Sequence, residues 1–246
     1  MSLYAIGDLH LSFGVKEKSM EIFGPAWENY TQRIEIALQD LTAEDVLILA
    51  GDTSWGMTLE ETADDFQFLN QFPCKKWLIK GNHDYWWNTA AKMRAFFDKN
   101  GFDTLNLIYN NCAIYQNYAI CGTRGWFPED DAQNLKILNR EAGRLERSLI
   151  CARENIGNGD GISGGNDKIN AGEREILCFL HYPPIYQNYR CDVFINKMRE
   201  YGVKKCFYGH LHGQAIQRRF EGVSDGIDYA LISADYLKFK PVKICD

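Results

Sequence analysis

Short apolar runs, each closed by a glycine or a polar cluster, recur along the chain and alternate with longer stretches in which apolar positions return every third or fourth residue. The first pattern predicts strands and the second amphipathic helices, because side chains share a face every second residue in a strand and every third or fourth in a helix. Strands are predicted at 3–7, 46–50, 76–80, 106–109, 112–115, 118–122, 176–181 and 205–208, with three more at 215–221, 229–233 and 242–245. A helix is predicted over 26–41, where Trp27, Tyr30, Ile34, Leu38 and Leu41 mark one face. The next starts at Thr58, which forms a capping-box pattern with Glu61, and stops before Pro73. Helix 88–100 ends at Gly101, a left-handed cap. A long helix over 130–153 presents Leu135, Leu138, Ala142, Leu145 and Leu149, and a shorter one spans 192–201. This alternation predicts an α/β (α+β layered) fold, and with no repeat or linker, residues 1–246 are predicted to form a single domain.

Six glycines within 155–172 predict a flexible surface loop. A calcium loop does not fit there, because placing Gly161 or Gly165 at the sixth position leaves Ile156 or Ile162 where an oxygen ligand should stand.

At 246 residues, 46% hydrophobic and 24% charged, the chain can bury a sizeable core. Its net charge of −6 counts against a nucleic-acid partner, since phosphate binding by counterion release needs a basic surface. No apolar run approaches the ~18 residues that span a bilayer, and "SLYAIGD" is entered without a basic and apolar leader. A cytoplasmic protein without a membrane partner is expected, and nothing in the pattern indicates an oligomeric state. The eight cysteines include no CxxC pair and mostly sit in apolar runs such as "EILCFLHY", which predicts buried reduced thiols.

The chemistry gathers around five histidines, His10, His83, His181, His210 and His212, each just after an apolar run. Strands of a layered sheet deliver their C-terminal loops to a common edge, so the five imidazoles are predicted to converge with Asp8, Asp52 and Asn82. Imidazole and carboxylate together suit Mn, Fe or Zn, and there are too many ligands for one tetrahedral ion. Two ions about 3.5–4 Å apart, bridged by a carboxylate, accommodate the set. In Asp8-x-His10 and His210-x-His212 the paired residues would point the same way along an extended segment. Gly7, Gly51, Gly81 and Gly209 each precede a member of the set and would let the backbone bend around an ion.

The ordered blocks "GDLH", "AGDTSW", "KGNHD", "LHYPP" and "GHLH" resemble the calcineurin-like metallophosphoesterases, whose blocks run D-x-H, G-D, G-N-H-[DE], H and G-H-x-H. The likeness spans positions 7 to 213, with no block broken, and "GDTSW" and "GTRGW" resemble a bacterial branch of predicted phosphohydrolases. It implies a two-sheet β-sandwich flanked by helices. It also implies that Asp8, His10 and His212 bind one metal, that Asp52 bridges, and that Asn82, His181 and His210 bind the second. His83 binds neither.

The activity implied is a dinuclear-metal-dependent phosphoesterase acting on a small phosphodiester or phosphomonoester, with manganese favoured. Two ions sharing a water would lower its pKa from about 15.7 toward ~7, giving a hydroxide for in-line attack. His83 is then free to act as general acid, with Asp84 beside it to orient the ring and raise its pKa. Arg124 in "CGTRGWF" could hold a phosphate oxygen or form a structural salt bridge. Tyr85, Trp86, Trp87, Trp126, Tyr182, Tyr186 and Tyr189 could form an aromatic wall or pack in the core. Two other readings share the fold. A catalytically silent scaffold would show lost ligands, and none is lost; a nuclease would show Lys/Arg stripes, and the balance is acidic.

Overall fold

Each central strand of this protein serves two cores at once. In the computed structural model, which describes residues 1–126, 135–157, 174–187 and 189–246, the elements run β1 (Leu3–Ile6), α1 (Tyr30–Gln39), β2 (Val46–Ala50), α2 (Ala63–Asn70), β3 (Lys75–Ile79), α3 (Ala90–Asn100), β4 (Leu105–Leu107), β5 (Ala113–Tyr115) and β6 (Tyr118–Thr123). They continue as α4 (Leu135–Gly157), β7 (Glu175–Leu180), β8 (Ile185–Tyr186), β9 (Tyr189–Arg190), α5 (Asp192–Glu200), β10 (Lys205–Tyr208), β11 (Gly222–Ser224), β12 (Ile227–Leu231) and β13 (Val242–Cys245). One sheet is ordered β13-β1-β2-β3-β4 and the other β11-β12-β10-β7-β6-β5; β8 and β9 form a small hairpin.

The inner strands of both sheets are parallel, with antiparallel edges at β13, β11 and β5. Parallel strands buried on both faces read as continuous apolar runs, and β2 shows why. Val46, Ile48 and Ala50 face the core between the sheets, while Leu47 and Leu49 join Ile34, Leu38, Phe66 and Met93 under α1, α2 and α3. In β7, Leu177 and Phe179 meet the same inner core, while Ile176, Cys178 and Leu180 pack with Leu145, Leu149, Phe194 and Ile195 under α4 and α5. The layering is therefore helix, sheet, sheet, helix. All eight cysteines are free thiols, five of them buried.

Several boundaries differ from the sequence pattern for physical reasons. The predicted strand 215–221 is instead a 3-10 helix, Gly213–Arg218, with a strand only from Gly222; Ala215, Ile216 and Phe220 reach the core under α4 and α5 from this turn. Helix 26–41 divides, because Asn29 adopts a left-handed conformation (φ 52°) between a 3-10 turn at Pro25–Trp27 and α1. Thr58 does accept the Glu61 N–H, but the Glu61 carboxylate turns to Met57 N–H, and the α-helix starts a turn later at Ala63. Thr89 caps α3 through Lys92 N–H, and Gly101 ends it with φ 68°. The first five residues of predicted helix 130–153 lie outside the described residues, as do 158–172 of the predicted loop 155–172; residues 155–157 continue α4.

Candidate metal centre

The carboxyl ends of β1, β2 and β3 in one sheet face those of β7 and β10 in the other, and the loops that leave them carry the histidine and aspartate blocks. The two sheets are tied at this end by Gly7 N–H to Ile232 C=O (2.7 Å) and Ala234 N–H to Gly7 C=O (3.0 Å). Asp8 N–H donates to Gly51 C=O and His10 N–H to Asp52 C=O, both at 2.9 Å, so the first two loops hold each other directly.

The backbone here is not extended. Asp8 (φ 61°), His10 (φ 48°), Asp52 (φ 49°) and His210 (φ 74°) are all left-handed, at a cost on the order of 1–3 kcal/mol each. The pairs two apart thus converge through coiled backbone rather than through strand alternation. Such coiling brings backbones very close: a Cβ at Gly81 would collide with the carboxylate and backbone nitrogen of Asp52, and one at Gly209 with the Asp8 carboxylate.

Two groups of potential ligand atoms result, each gathered within 4.8 Å: Asp8, His10 and His212, and Asp8, Asp52 and His181. Asp52 Oδ2 lies 3.7 Å from His10 Nε2 and 3.4 Å from His181 Nε2. Asn82 Oδ1 sits 2.7 Å from His181 Nε2 and 2.9 Å from His210 Nδ1. His212 Nε2 is 3.3 Å from Asp8 Oδ1. All seven residues predicted as ligands therefore meet at one place.

Their electrostatics describe a cluster that favours a cation. Burial, and then the charge of Asp8, raise Asp52 to about 8. Burial opposes ionisation of Asp8 too, but His212, His181 and His10 outweigh it and hold that carboxyl well below its ordinary range. Burial also opposes charging of His212, yet Asp8 and Asp235 raise it to about 10. His10 and His181 are pushed down by burial first, and His210 by burial and then His181 to about 3, which leaves neutral rings suited to coordination. Two buried carboxylates facing imidazoles, with His10 Nδ1 buried and without a hydrogen-bond partner among the described residues, form an oxygen and nitrogen donor set that fits divalent metal ions.

His83 stands at the edge of this set, its ring 5.8 Å from His10 and 4.5 Å from Trp55, with Nδ1 buried and unpartnered among the described residues. Asp84 requires a correction. Its carboxylate does not orient the His83 ring; it accepts N–H groups of Gly81 (2.6 Å), Asp52 (3.0 Å) and Thr53 (2.9 Å) and the Trp86 indole (3.1 Å). The reason is steric as well as electrostatic: Asp84 is completely buried under the turn, where only backbone donors and the Trp86 indole reach it. Burial, then Asp52, push it up to about 7. His83 is accordingly lowered, by burial first and His181 next, rather than raised by Asp84.

Arg124 does form a salt bridge, to the fully buried Glu141 (3.1 Å). The aromatic residues divide. Trp86 and Trp87 pack in the core, Tyr85 is exposed near His83, and Tyr182 lies 4.1 Å from the His210 ring. Trp55 stacks on His10 at 4.9 Å. Sequence reasoning missed Asp235, whose carboxylate holds His212 Nδ1 at 2.9 Å and accepts Gly213 N–H at 3.0 Å. Its one signal is an acid shortly after a strand that ends beside β10.

Two mixed sheets between helices, with carboxylates and imidazoles gathered where the parallel strands end, define a metal-dependent phosphoesterase fold. The chain belongs to the calcineurin-like phosphoesterase family, which it matches over residues 1–214. Two solved structures share the fold over nearly the whole length. The protein of unknown function AQ665 from Aquifex aeolicus is 14% identical with a TM-score of 0.50, covering 98% of this chain and 95% of that one. TT1561 of Thermus thermophilus is 10% identical with a TM-score of 0.54, covering 98% and 96%. At these identities the likeness speaks for fold alone. No functionally curated protein matches the chain significantly.

Proposed function

We propose that the protein hydrolyses a small phosphodiester or phosphomonoester at a centre of two divalent ions, manganese being favoured. The observation that carries this reading is the place of Asp52 Oδ2, between His10 Nε2 and His181 Nε2, one imidazole from each ligand group. Asp8, His10 and His212 would hold one ion, Asn82, His181 and His210 the other, and Asp52 would be shared. When bound, the ions supply charge neutralisation at the phosphoryl oxygens and a hydrolytic nucleophile at neutral pH.

The chain's own residues do the rest. His83 is the general acid, giving its proton to the leaving alkoxide. Because burial holds this ring below its ordinary value, the negative charge of a bound phosphoester is what draws the proton onto it. Asp84 positions the loop that carries both Asn82 and His83, and Trp55 fixes the faces of His10 and His83. No helix among the described residues is long and apolar enough to cross a membrane. We infer a cytoplasmic setting without a membrane partner, and the net charge of −6 supports a small-molecule substrate over a nucleic acid.

The test is turnover of bis-aryl and mono-aryl phosphates by manganese-loaded protein of measured metal content. Product from at least one is expected, and their ratio assigns diester or monoester preference. Full metal occupancy with no product from either would overturn the reading. Asp52→Asn should lose metal and activity together by at least ~100-fold, more than is usual for residues that only support a ligand.

A further inference from the structure

Beside the metal centre lies a narrow, open-mouthed cleft lined among others by Lys80, Tyr109, Thr123, Arg124 and Arg144, none of which holds a place in the metal centre. Three of its lining residues are cations drawn from distant parts of the chain. Lys80 follows β3, Arg124 follows β6 and Arg144 stands on α4. One oxygen of Glu141 accepts both Arg124 Nη2 at 3.1 Å and Arg144 Nη1 at 2.7 Å, while Lys80 feels the charges of Asp84 and Glu141 without bonding to either, so three cations face two acids. The cleft is therefore not neutralised. Among the described residues, Lys80 Nζ has no hydrogen bond or ion pair and Arg124 Nε is buried without a hydrogen-bond partner.

A purely structural ion cluster would match its charges, since unpaired buried charge is costly. Here one carboxylate sets two guanidiniums side by side and leaves an excess of positive charge facing a cleft. The fork geometry of guanidinium groups suits phosphate and carboxylate oxygens.

The cleft adjoins the centre through two covalent or hydrogen-bonded links. Lys80 is two residues before Asn82, so their Cα atoms are at most about 7 Å apart. Arg124 C=O accepts Tyr182 N–H at 2.9 Å, and the Tyr182 ring lies 4.1 Å from that of His210. A ligand with one phosphoryl group at Asn82 and His210 would hold a group a few bonds away at the cations. We propose that Lys80, Arg124 and Arg144 form a second anion subsite, and that the substrate is a phosphoester carrying another anionic group, phosphate or carboxylate, close to the scissile phosphoryl. The proposal rests on the phosphoesterase reading for where the first phosphoryl sits.

The experiment compares ethyl phosphate, 2-phosphoglycolate and ethane-1,2-diol bisphosphate as substrates of the manganese-loaded full chain, so that a common two-carbon frame carries no second anion, a carboxylate or a phosphate. Wild type should prefer one or both of the compounds with a second anion, and the better one names the group. Arg144→Gln should reduce that preference about tenfold through KM rather than kcat, the usual worth of a charge-assisted hydrogen bond. Lys80→Gln breaks no pair seen here and should do the same with metal content retained. Arg153→Gln, on the same helix but stacked over Tyr201, removes equal charge and should keep the preference. No preference in wild type, or an equal loss in Arg153→Gln, would overturn the subsite. Turnover of none of the three would instead count against a monoesterase, the diester half of the phosphoesterase reading resting on the bis-aryl phosphate test. The subsite is then decided by calorimetric binding of the same three compounds to wild type and Lys80→Gln, where equal affinities overturn it.

Discussion

Two buried acidic clusters share the Asp52 loop and are built in opposite ways. At Asp84 every carboxylate contact is a donor from the protein itself, four backbone N–H groups and an indole, so the cluster is complete as it stands. At Asp8 and Asp52 two carboxylates face each other and a ring of imidazoles, with Asp52 pushed up to about 8. Satisfied polar networks rigidify, and half-satisfied ones are poised to take a ligand. The complete cluster thus fixes the loops from which the incomplete one is hung.

The strongest way to break this contrast is Asp84→Ala. Removing the acceptor strands several buried N–H groups at once, which should cost about 3–5 kcal/mol of stability and, at ~2–4 °C per kcal/mol, lower Tm by roughly 10 °C. Metal binding should weaken in parallel, because Asn82 and Asp52 lose their common support. Thermal denaturation and metal content measure both. If Asp84→Ala kept Tm but lost activity selectively on poor leaving groups, Asp84 would be a partner of the His83 ring after all.

His83→Ala should behave in the reverse manner. Its ring touches no backbone donor of the loop, so stability and metal content should hold, while turnover of alkyl esters falls ~10²- to 10⁴-fold. Esters with good leaving groups should fall far less. Since His83 is lowered from its ordinary 6.5, kcat/KM for alkyl esters should decline as pH rises through that lower value, and the decline should vanish in the variant. Equal losses on both ester types would remove His83 from the role of acid.

A smaller effect is expected one step further from the ligands. Asp235→Asn keeps an acceptor for His212 Nδ1 but removes the charge that helps raise that ring, and supporting carboxylates of this kind are worth about 10- to 100-fold in metal affinity. Metal titration should show weaker binding with Tm nearly unchanged. An unaltered affinity would make Asp235 a cap for Gly213 and nothing more.

What the sequence disclosed follows the same division between local and distant causes. Strands β2 and β7 were visible because a strand buried on both faces has to be apolar throughout, and the blocks around Asp8, Asp52, Asn82, His181 and His210 were visible because each sits where such a run stops. The direction of Asp84 was not. Adjacency to His83 suggests a shared role, whereas the turn sends the two side chains to opposite sides, one to backbone donors and one to the site. Asp235 and the cleft cations were hidden for another reason: Lys80 and Arg144 meet only through the pairing of sheets and the docking of α4, and no local spacing announces that. The strand expected at 215–221 failed because its apolar residues pack on the core from a turn, which periodicity cannot distinguish from a pleat.

Lys76 supplies the control for the whole comparison, a buried charge remote from any ligand group. It is fully buried on β3, where its ammonium donates to Phe72 C=O and to Thr104 Oγ1 (3.2 Å), and burial lowers it from 10.5 to about 8. The unfolded chain therefore holds the proton more tightly than the folded one. The ionisation penalty is fully felt below pH 8, fades as pH climbs, and is gone above about 10.5, so stability should rise across that window. Its size is on the order of 3 kcal/mol, against two hydrogen bonds worth about 1 kcal/mol each. Lys76→Met should then stabilise the protein at pH 7 by about 1 kcal/mol and abolish the rise between pH 8 and 10.5, as read from urea denaturation at the two ends of the window. A variant less stable at pH 7 would mean that a charge satisfied by one carbonyl, one hydroxyl and the neighbouring Cys74 side chain is already well solvated. In that case incompleteness at Asp8 and Asp52 would be a weaker sign of a bound cation than the contrast with Asp84 suggests.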